Sequence, residues 1–145
     1  MTKIYTIGFT KTSAESFFGR LRAAGVQRVV DIRRSNKSQL AGFAKEDDLR
    51  YFLDALLGIP YIHRLDLAPT QEIMDAYRKR KGSWAEFEKQ FLALIAERRI
   101  EETVPRELLD GACLVCSEDE PTHCHRRLIA EYLQEKWGDV EIVHL

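Results

Sequence analysis

The feature that most constrains this chain is its alternation of short β-branched apolar runs with capped amphipathic segments. Ile4–Gly8 reads as a first buried strand. Thr12 and Glu15 make a T-x-x-E signature, in which two side chains satisfy free backbone N–H groups at a helix start. Phe17, Phe18, Leu21 and Ala24 follow at helical spacing, and Gly25 supplies the stop. Val26–Ile32 reads as a second strand, because Val29, Val30 and Ile32 favour pleated backbone. Strand, helix and strand within about 30 residues make a βαβ unit, whose crossover forces the two strands parallel.

The same grammar continues to the end. Glu46–Leu57 is expected to be helical, with Leu49, Phe52, Leu53, Leu56 and Leu57 on one side and Gly58 as the stop. Ile59–Leu65 is a third strand, weakened by Pro60. Pro69–Arg80 and Ser83–Arg99 are helices; the second opens on the capping pair Ser83 and Glu86 and buries Phe87, Phe91, Leu94 and Ile95. Ala112–Cys116 is a fourth strand, Pro121–Trp137 a helix and Val140–His144 a last strand. No repeat, linker or low-complexity tract interrupts them. The expectation is an α/β fold: a single domain over residues 1–145, with a mostly parallel sheet of about five strands and helices on both faces.

Bulk properties narrow the function classes. A chain of 145 residues buries enough surface for a core without staples. Three cysteines, two of them close together, make a poor disulfide framework and suit a reducing cytosol, so a cytoplasmic location is expected. No apolar run approaches the ~20 residues needed to cross a bilayer, and the first residues lack a signal-peptide block, so no membrane partner is expected. A net charge of −1 excludes a general nucleic-acid footprint but leaves a local basic patch possible.

In open parallel sheets, ligands bind beyond the carboxyl ends of the strands. Here those loops begin at Phe9-Thr10, Arg33–Ser38, His63-Arg64 and Ser117–Pro121. The richest chemistry is Cys116-Ser-Glu-Asp-Glu-Pro-Thr-His-Cys124-His-Arg126. With Pro121 as first helical residue and Glu120 as cap, Cys124 falls in the first helical turn. Free N–H groups and the positive dipole end favour an anion there, and also a thiolate. Cys124 is therefore the candidate for a depressed pKa. Cys116 faces it from the strand end; Glu118 and His125 are candidates to move a proton. These four form the catalytic candidate set.

Each signal has a plainer reading. Buried cysteines often just fill space. A metal is another alternative, since Cys116, Cys124 and His123 or His125 offer sulfur and nitrogen donors for zinc or iron. Adjacent helical residues, however, point about 100° apart, which counts against pairing Cys124 with His125, and no metal ligand is assigned. Cys113 and Cys116 spell C-x-x-C, but residues i and i+3 of a strand face opposite sides. At the end of the second strand, Asp31 could orient Arg33 or Arg126 through a bidentate pair. Arg33, Arg34 and Lys37 could grip phosphate. Asp31, Arg33, Arg34, Lys37 and Arg126 are thus the substrate-binding candidates; a solvated loop is the plainer account. Tyr5, Tyr61 and His63 read as core or rim residues, and Arg78–Lys81 as a solvated helix end.

These residues resemble the domain-of-unknown-function 488 family. The likeness rests on Ile4-Tyr-Thr-Ile-Gly8, Val30-Asp-Ile-Arg-Arg34, Ser38-Gln-Leu-Ala-Gly-Phe43, Gly58-Ile-Pro-Tyr61 and Leu67-Ala-Pro-Thr70. It culminates in Cys116-x-Glu118-x-x-Pro121-x-x-Cys124-His125-Arg126. Where the family commonly has two glycines, this chain has Ala68 and Pro69. The resemblance implies a small α/β fold of bacterial or archaeal cytosolic origin, with motif positions at Asp31, Arg33, Cys116, Glu118, Cys124, His125 and Arg126. It implies no reaction. A looser likeness, of architecture alone, is to rhodanese-like domains, which pair an Asp-x-Arg strand end with a strand-borne cysteine.

The leading expectation is an enzyme that binds an anionic small molecule or nucleotide and uses cysteine thiol chemistry at the carboxyl edge of the sheet. The alternatives are a metal-binding module on Cys116, Cys124 and a histidine, and a non-catalytic nucleotide or nucleic-acid domain using Arg33, Arg34, Lys37, Arg64, Arg126 and Arg127. The residues specify no cofactor and no oligomeric state.

Overall fold

A computed structural model describes residues 1–37 and 42–145. Five strands, β1 (Thr2–Gly8), β2 (Arg28–Asp31), β3 (Tyr61–His63), β4 (Ala112–Cys116) and β5 (Val140–His144), form one sheet in the order β3-β2-β4-β1-β5. Every pairing is parallel. Seven α-helices connect them: α1 (Ala14–Ala24), α2 (Glu46–Phe52), α3 (Gln71–Arg78), α4 (Trp84–Arg98), α5 (Ile100–Thr103), α6 (Arg106–Leu109) and α7 (His125–Trp137).

Strand alternation sorts the apolar side chains into two layers. Ile7, Val29 and Val115 pack with Phe17 and Leu21 of α1 and Leu49 of α2. Ile4, Val30 and Leu114 pack on the other face, with Phe91 and Ile95 of α4 and Leu128 and Ile129 of α7. Each side chain of this size contributes about 1.5–3 kcal/mol when fully buried. The expected α/β architecture with a parallel sheet and helices on both faces is therefore present.

Several boundaries differ from the sequence expectation, each for a local reason. The cap of α1 is Ser13, whose Oγ accepts from Ser16 N–H at 3.1 Å, while the Thr12 hydroxyl turns back to the Thr10 carbonyl. Helix α2 runs into a π-turn over Leu53–Leu57 before Gly58 ends it at φ 66°. The third strand is only three residues long, and α3 is capped by Thr70 instead of beginning at Pro69. Helices α5 and α6 were not anticipated, because four residues are too few to show a period.

The largest correction concerns α7. It begins at His125, not Pro121. Residues 121–124 instead close a turn, with Cys124 N–H donating to the Pro121 carbonyl at 3.2 Å. Cys124 is the cap residue, extended at φ −140° and ψ 140°. Because all strands are parallel, the segments after β1, β2 and β4 emerge at one edge. Gly8, in register with Cys116, lies where an added Cβ would run into the Glu118 carbonyl and meet Arg126 Nη1 at 2.8 Å. Glycine there is what lets the cysteine-bearing loop lie against β1. No helix among the described residues is long and apolar enough to cross a membrane.

Candidate active site

The site begins with the last residue of β4. Cys116 is 4% exposed and points into the layer beneath α4 and α7. From α7, His125 sends Nε2 to the Ile32 carbonyl at 2.8 Å. A carbonyl only accepts, so Nε2 carries the hydrogen, and in the neutral ring Nδ1 is a free acceptor. That Nδ1 lies 3.4 Å from Cys116 Sγ. A backbone contact thus fixes the tautomer that can take the cysteine proton.

The second sulfur completes the cluster. Cys116 Sγ, Cys124 Sγ and a His125 ring nitrogen all lie within 4.8 Å of one another. The extended backbone of Cys124 makes this possible. In a helix it would diverge from His125, the expectation that had counted against this grouping. The Cys124 thiol donates to Cys116 and holds its pKa below the ordinary thiol value; Arg126 and the Ser117 N–H act in the same direction, against the effect of burial. Cys124 is pushed well above the thiol range by burial and by the sulfur it serves. The sequence reading assigned the depressed thiol to Cys124; its place as a buried cap donating to Cys116 reverses that assignment. The three donors, two sulfurs and an imidazole, are a set that soft metals accept, although the cluster among the described residues supplies three ligands and not four.

Arg126 lies beneath this cluster and is 1% exposed. Its Nη1 donates to the Glu118 carbonyl and to Cys124 Sγ (3.4 Å), and Nη2 donates to the Asp119 carbonyl at 3.3 Å. Its Nε is buried with no partner among the described residues. Arg126 therefore clamps the loop between the cysteines and sets its charge beside both sulfurs.

Arg33 approaches from the end of β2. Its Nε and Nη2 bind Asp31 at 2.9 and 2.7 Å, and Nη2 also donates to the Ala44 carbonyl at 2.7 Å. The guanidinium stacks 5.0 Å from the Phe9 ring centroid. Burial alone would lower its pKa, but the hydrogen bonds and charge of Asp31 outweigh burial and raise it, so the cation is kept. Its Nη1 is buried and has no partner among the described residues. Asp31 is fully buried and also accepts from Tyr61 Oη at 2.5 Å. Asn36 Nδ2 donates to Tyr61 Oη and His63 Nδ1, and His63 Nε2 donates to the Arg33 carbonyl at 2.8 Å.

The two sulfurs, His125 and Arg33 border one cleft of about 330 Å³, while Arg126, Asp31, Asn36, Tyr61 and His63 support it from behind and do not line it. Cys116, Cys124 and His125 lie at its buried end. Phe9, Arg33, Arg34 and Ser35 line one side; Met74, Tyr77 and Trp84 line the other, with Arg78 and Lys79 toward the rim. Exposed His123 stacks on Trp84 with centroids 5.1 Å apart. The Glu118 carboxylate is half exposed and faces Arg78 at 3.9 Å, so Arg78 borders the site and is not only a solvated helix end. Lys37 is exposed and is not among the cleft residues, and Ser38 to Ala41 of the expected loop and family motif lie outside the described residues. Of the six cations considered for a nucleic-acid face, Arg33 and Arg126 are buried as described, Arg64 pairs with Asp66 at 2.8 Å, and Arg127 pairs with Glu88 and Glu131.

Sequence reasoning missed Phe9 as the platform for Arg33, underweighted Tyr61, and overlooked Trp84 as a cleft residue; His123, offered there as a metal ligand, instead stacks on Trp84. The signal at Tyr61 was its place at the start of β3, in register with Val29 of β2 and two residues before the level of Asp31; nothing local marked Trp84.

A family model described as domain of unknown function DUF488 matches residues 13–133. No curated protein and no solved structure matches the chain.

Proposed function

The chain belongs to the DUF488 family, and from that premise and the cleft geometry we propose that it is a cysteine-dependent enzyme acting on an anionic small molecule. Cys116 is the nucleophile. His125 Nδ1 receives its proton, and the Cys124 thiol stabilises the thiolate by hydrogen bonding. Arg33 binds the anion through Nη1, held in place by Asp31 and Phe9. Arg34 adds charge at the mouth of the cleft. Arg126 is a positioning residue, since its Nη1 and Nη2 donate to the loop carbonyls and to Cys124. Glu118, with its carboxylate turned to Arg78, belongs to the rim in this reading, and Lys37 stands further out on the approach.

One observation carries the proposal. Cys116 Sγ sits 3.4 Å from an imidazole acceptor and beside a second thiol, in a cleft also lined by Arg33, whose Nη1 has no partner among the described residues. Thiol, base and anion donor in one cleft satisfy the geometric requirement for nucleophilic catalysis. A buried thiol that merely fills space needs none of the three.

The test is site-resolved alkylation of Cys116 by iodoacetamide across pH, with and without phosphate or sulfate. The proposal expects a titration below that of an ordinary thiol, protection by the anion, and loss of that protection in Arg33→Met. An ordinary titration without protection overturns it. Stoichiometric zinc or iron in protein purified without chelator, with stability lost on chelation, would install the metal-binding reading instead.

A further inference from the structure

A nucleophile–base pair accounts for Cys116 and His125 but leaves the second sulfur unexplained. Cys124 is 2% exposed, and its backbone leaves the helical path so that its sulfur comes within 4.8 Å of Cys116 and of the imidazole. Serine would make the same hydrogen bond with less bulk. What only sulfur adds is a bond to sulfur. The two cysteines come from different elements, a strand end and a helix cap, and the loop between them is held by Arg126. They therefore meet as a preformed pair.

We propose that Cys116 and Cys124 are a two-electron dithiol/disulfide couple that reduces small hydroperoxides. The inference rests on the reading of Cys116 as the reactive thiol, and it adds a substrate class and a role for Cys124. In the first step, Cys116 thiolate attacks the terminal peroxide oxygen. An S–O bond forms and the O–O bond breaks; the alcohol or water leaves with the proton that His125 had taken from Cys116. In the second, Cys124 gives its proton to His125 Nδ1, and its sulfur attacks the sulfenic sulfur of Cys116. An S–S bond forms, the S–O bond breaks, and hydroxide leaves as water with the proton from His125. Two thiols and ROOH thus become a disulfide, ROH and water. A low-molecular-weight thiol, added as the reductant, returns the pair to its starting state.

Burial selects the oxidant. Both sulfurs lie at the closed end of the cleft, at 4% and 2% exposure, where a hydroperoxide fits and a protein disulfide does not. Arg33, whose Nη1 has no partner among the described residues, lines the same cleft and supplies a donor for the departing oxygen. Cys113 is excluded as a partner, because it faces the opposite layer, with Ile7 and Phe17.

The experiment treats the full chain with hydrogen peroxide, blocks remaining thiols in denaturant, and reads intact mass and a peptide map. The expected result is loss of two hydrogens, one free thiol at Cys113, a bridge joining Cys116 to Cys124, and full reversal by dithiothreitol. Cys124→Ser should stop at a sulfenic acid on Cys116, trapped by dimedone, with no bridge formed. Oxygen addition to wild type without a bridge overturns the inference, as does a bridge through Cys113. The wild-type map decides even if the variant folds poorly. A Cys116 that titrates low and is anion-protected yet never bridges would sink this inference alone. A bridge formed without anion protection would sink the anion-binding part of the proposed function and leave the couple standing.

Discussion

Cys113 and Cys116 lie three residues apart on β4, and both are buried. Cys113 faces the layer under α1 and α2, where its nearest polar partner is the Leu114 carbonyl at 3.8 Å. Burial drives its pKa far up. Cys116 faces the other layer, 3.4 Å from an imidazole nitrogen, and a neighbouring thiol, a guanidinium charge and a backbone N–H together pull its pKa down. The strand delivers both sulfurs equally; what differs is the supply of donors on each face. Burial without donors disfavours the thiolate, and donors beside a buried sulfur favour it.

The largest expected effect tests whether the polar side is an integral structure. Asp31→Ala leaves Arg33 buried without its carboxylate and should cost about 3–5 kcal/mol, read as a shift in urea midpoint. A cost near zero would mean that Arg33 relaxes to solvent, and the anion site would go with it. Next comes the contrast itself. In the native protein at neutral pH, Cys116 should alkylate at least roughly a hundredfold faster than Cys113, since each pKa unit is tenfold in thiolate. Site-resolved mass spectrometry measures the ratio; equal rates would erase the distinction between the two faces.

How much of this was legible beforehand follows the range of each signal. The sheet, its parallel sense and the edge that bears the cleft were visible, because apolar runs and caps are local patterns. That Asp31 selects Arg33 over Arg126 was not, because either arginine satisfied the spacing. The start of α7 was misplaced: Pro121 and Glu120 have good helix-start chemistry, but Arg126, held below, draws in the 118 and 119 carbonyls and the chain does not turn helical until His125. A guanidinium from the helix's own second residue is a tertiary cause, and no local rule weighs it. The same displacement put Cys124 beside Cys116 and moved the depressed pKa from one cysteine to the other.

Two smaller effects sharpen the comparison. Cys124→Ala removes the donor and should raise the Cys116 titration, whereas Cys124→Ser should hold it nearly in place. If both variants behave alike, the hydrogen bond is not the cause. Tyr61, on the Cys113 side of the sheet, donates to Asp31, and burial with that neighbouring carboxylate raises its pKa. A group raised above its unfolded value contributes stability that is present below the unfolded pKa and lost as pH rises. Wild type should therefore weaken as pH climbs past about 10, where an unfolded tyrosine ionises. Tyr61→Phe should cost about 1 kcal/mol at neutral pH and lose that alkaline decline; urea midpoints at the two pH values decide it.

The strand order also sets a timetable for assembly. β1 has no hydrogen-bonded neighbour until residues 112–116 and 140–144 arrive, since its partners are β4 and β5. β2 can pair early with β3, but the gap between β2 and β1 stays open until β4 is inserted as the keystone. Such long-range closure is slow to nucleate. A ribosome-bound fragment that ends before β4 would carry an unpaired first strand and a half-formed apolar layer, a natural client for a holdase. Because Cys116 ends that keystone strand and His125 follows it, the cysteine–histidine cluster comes together only when the fold is nearly complete.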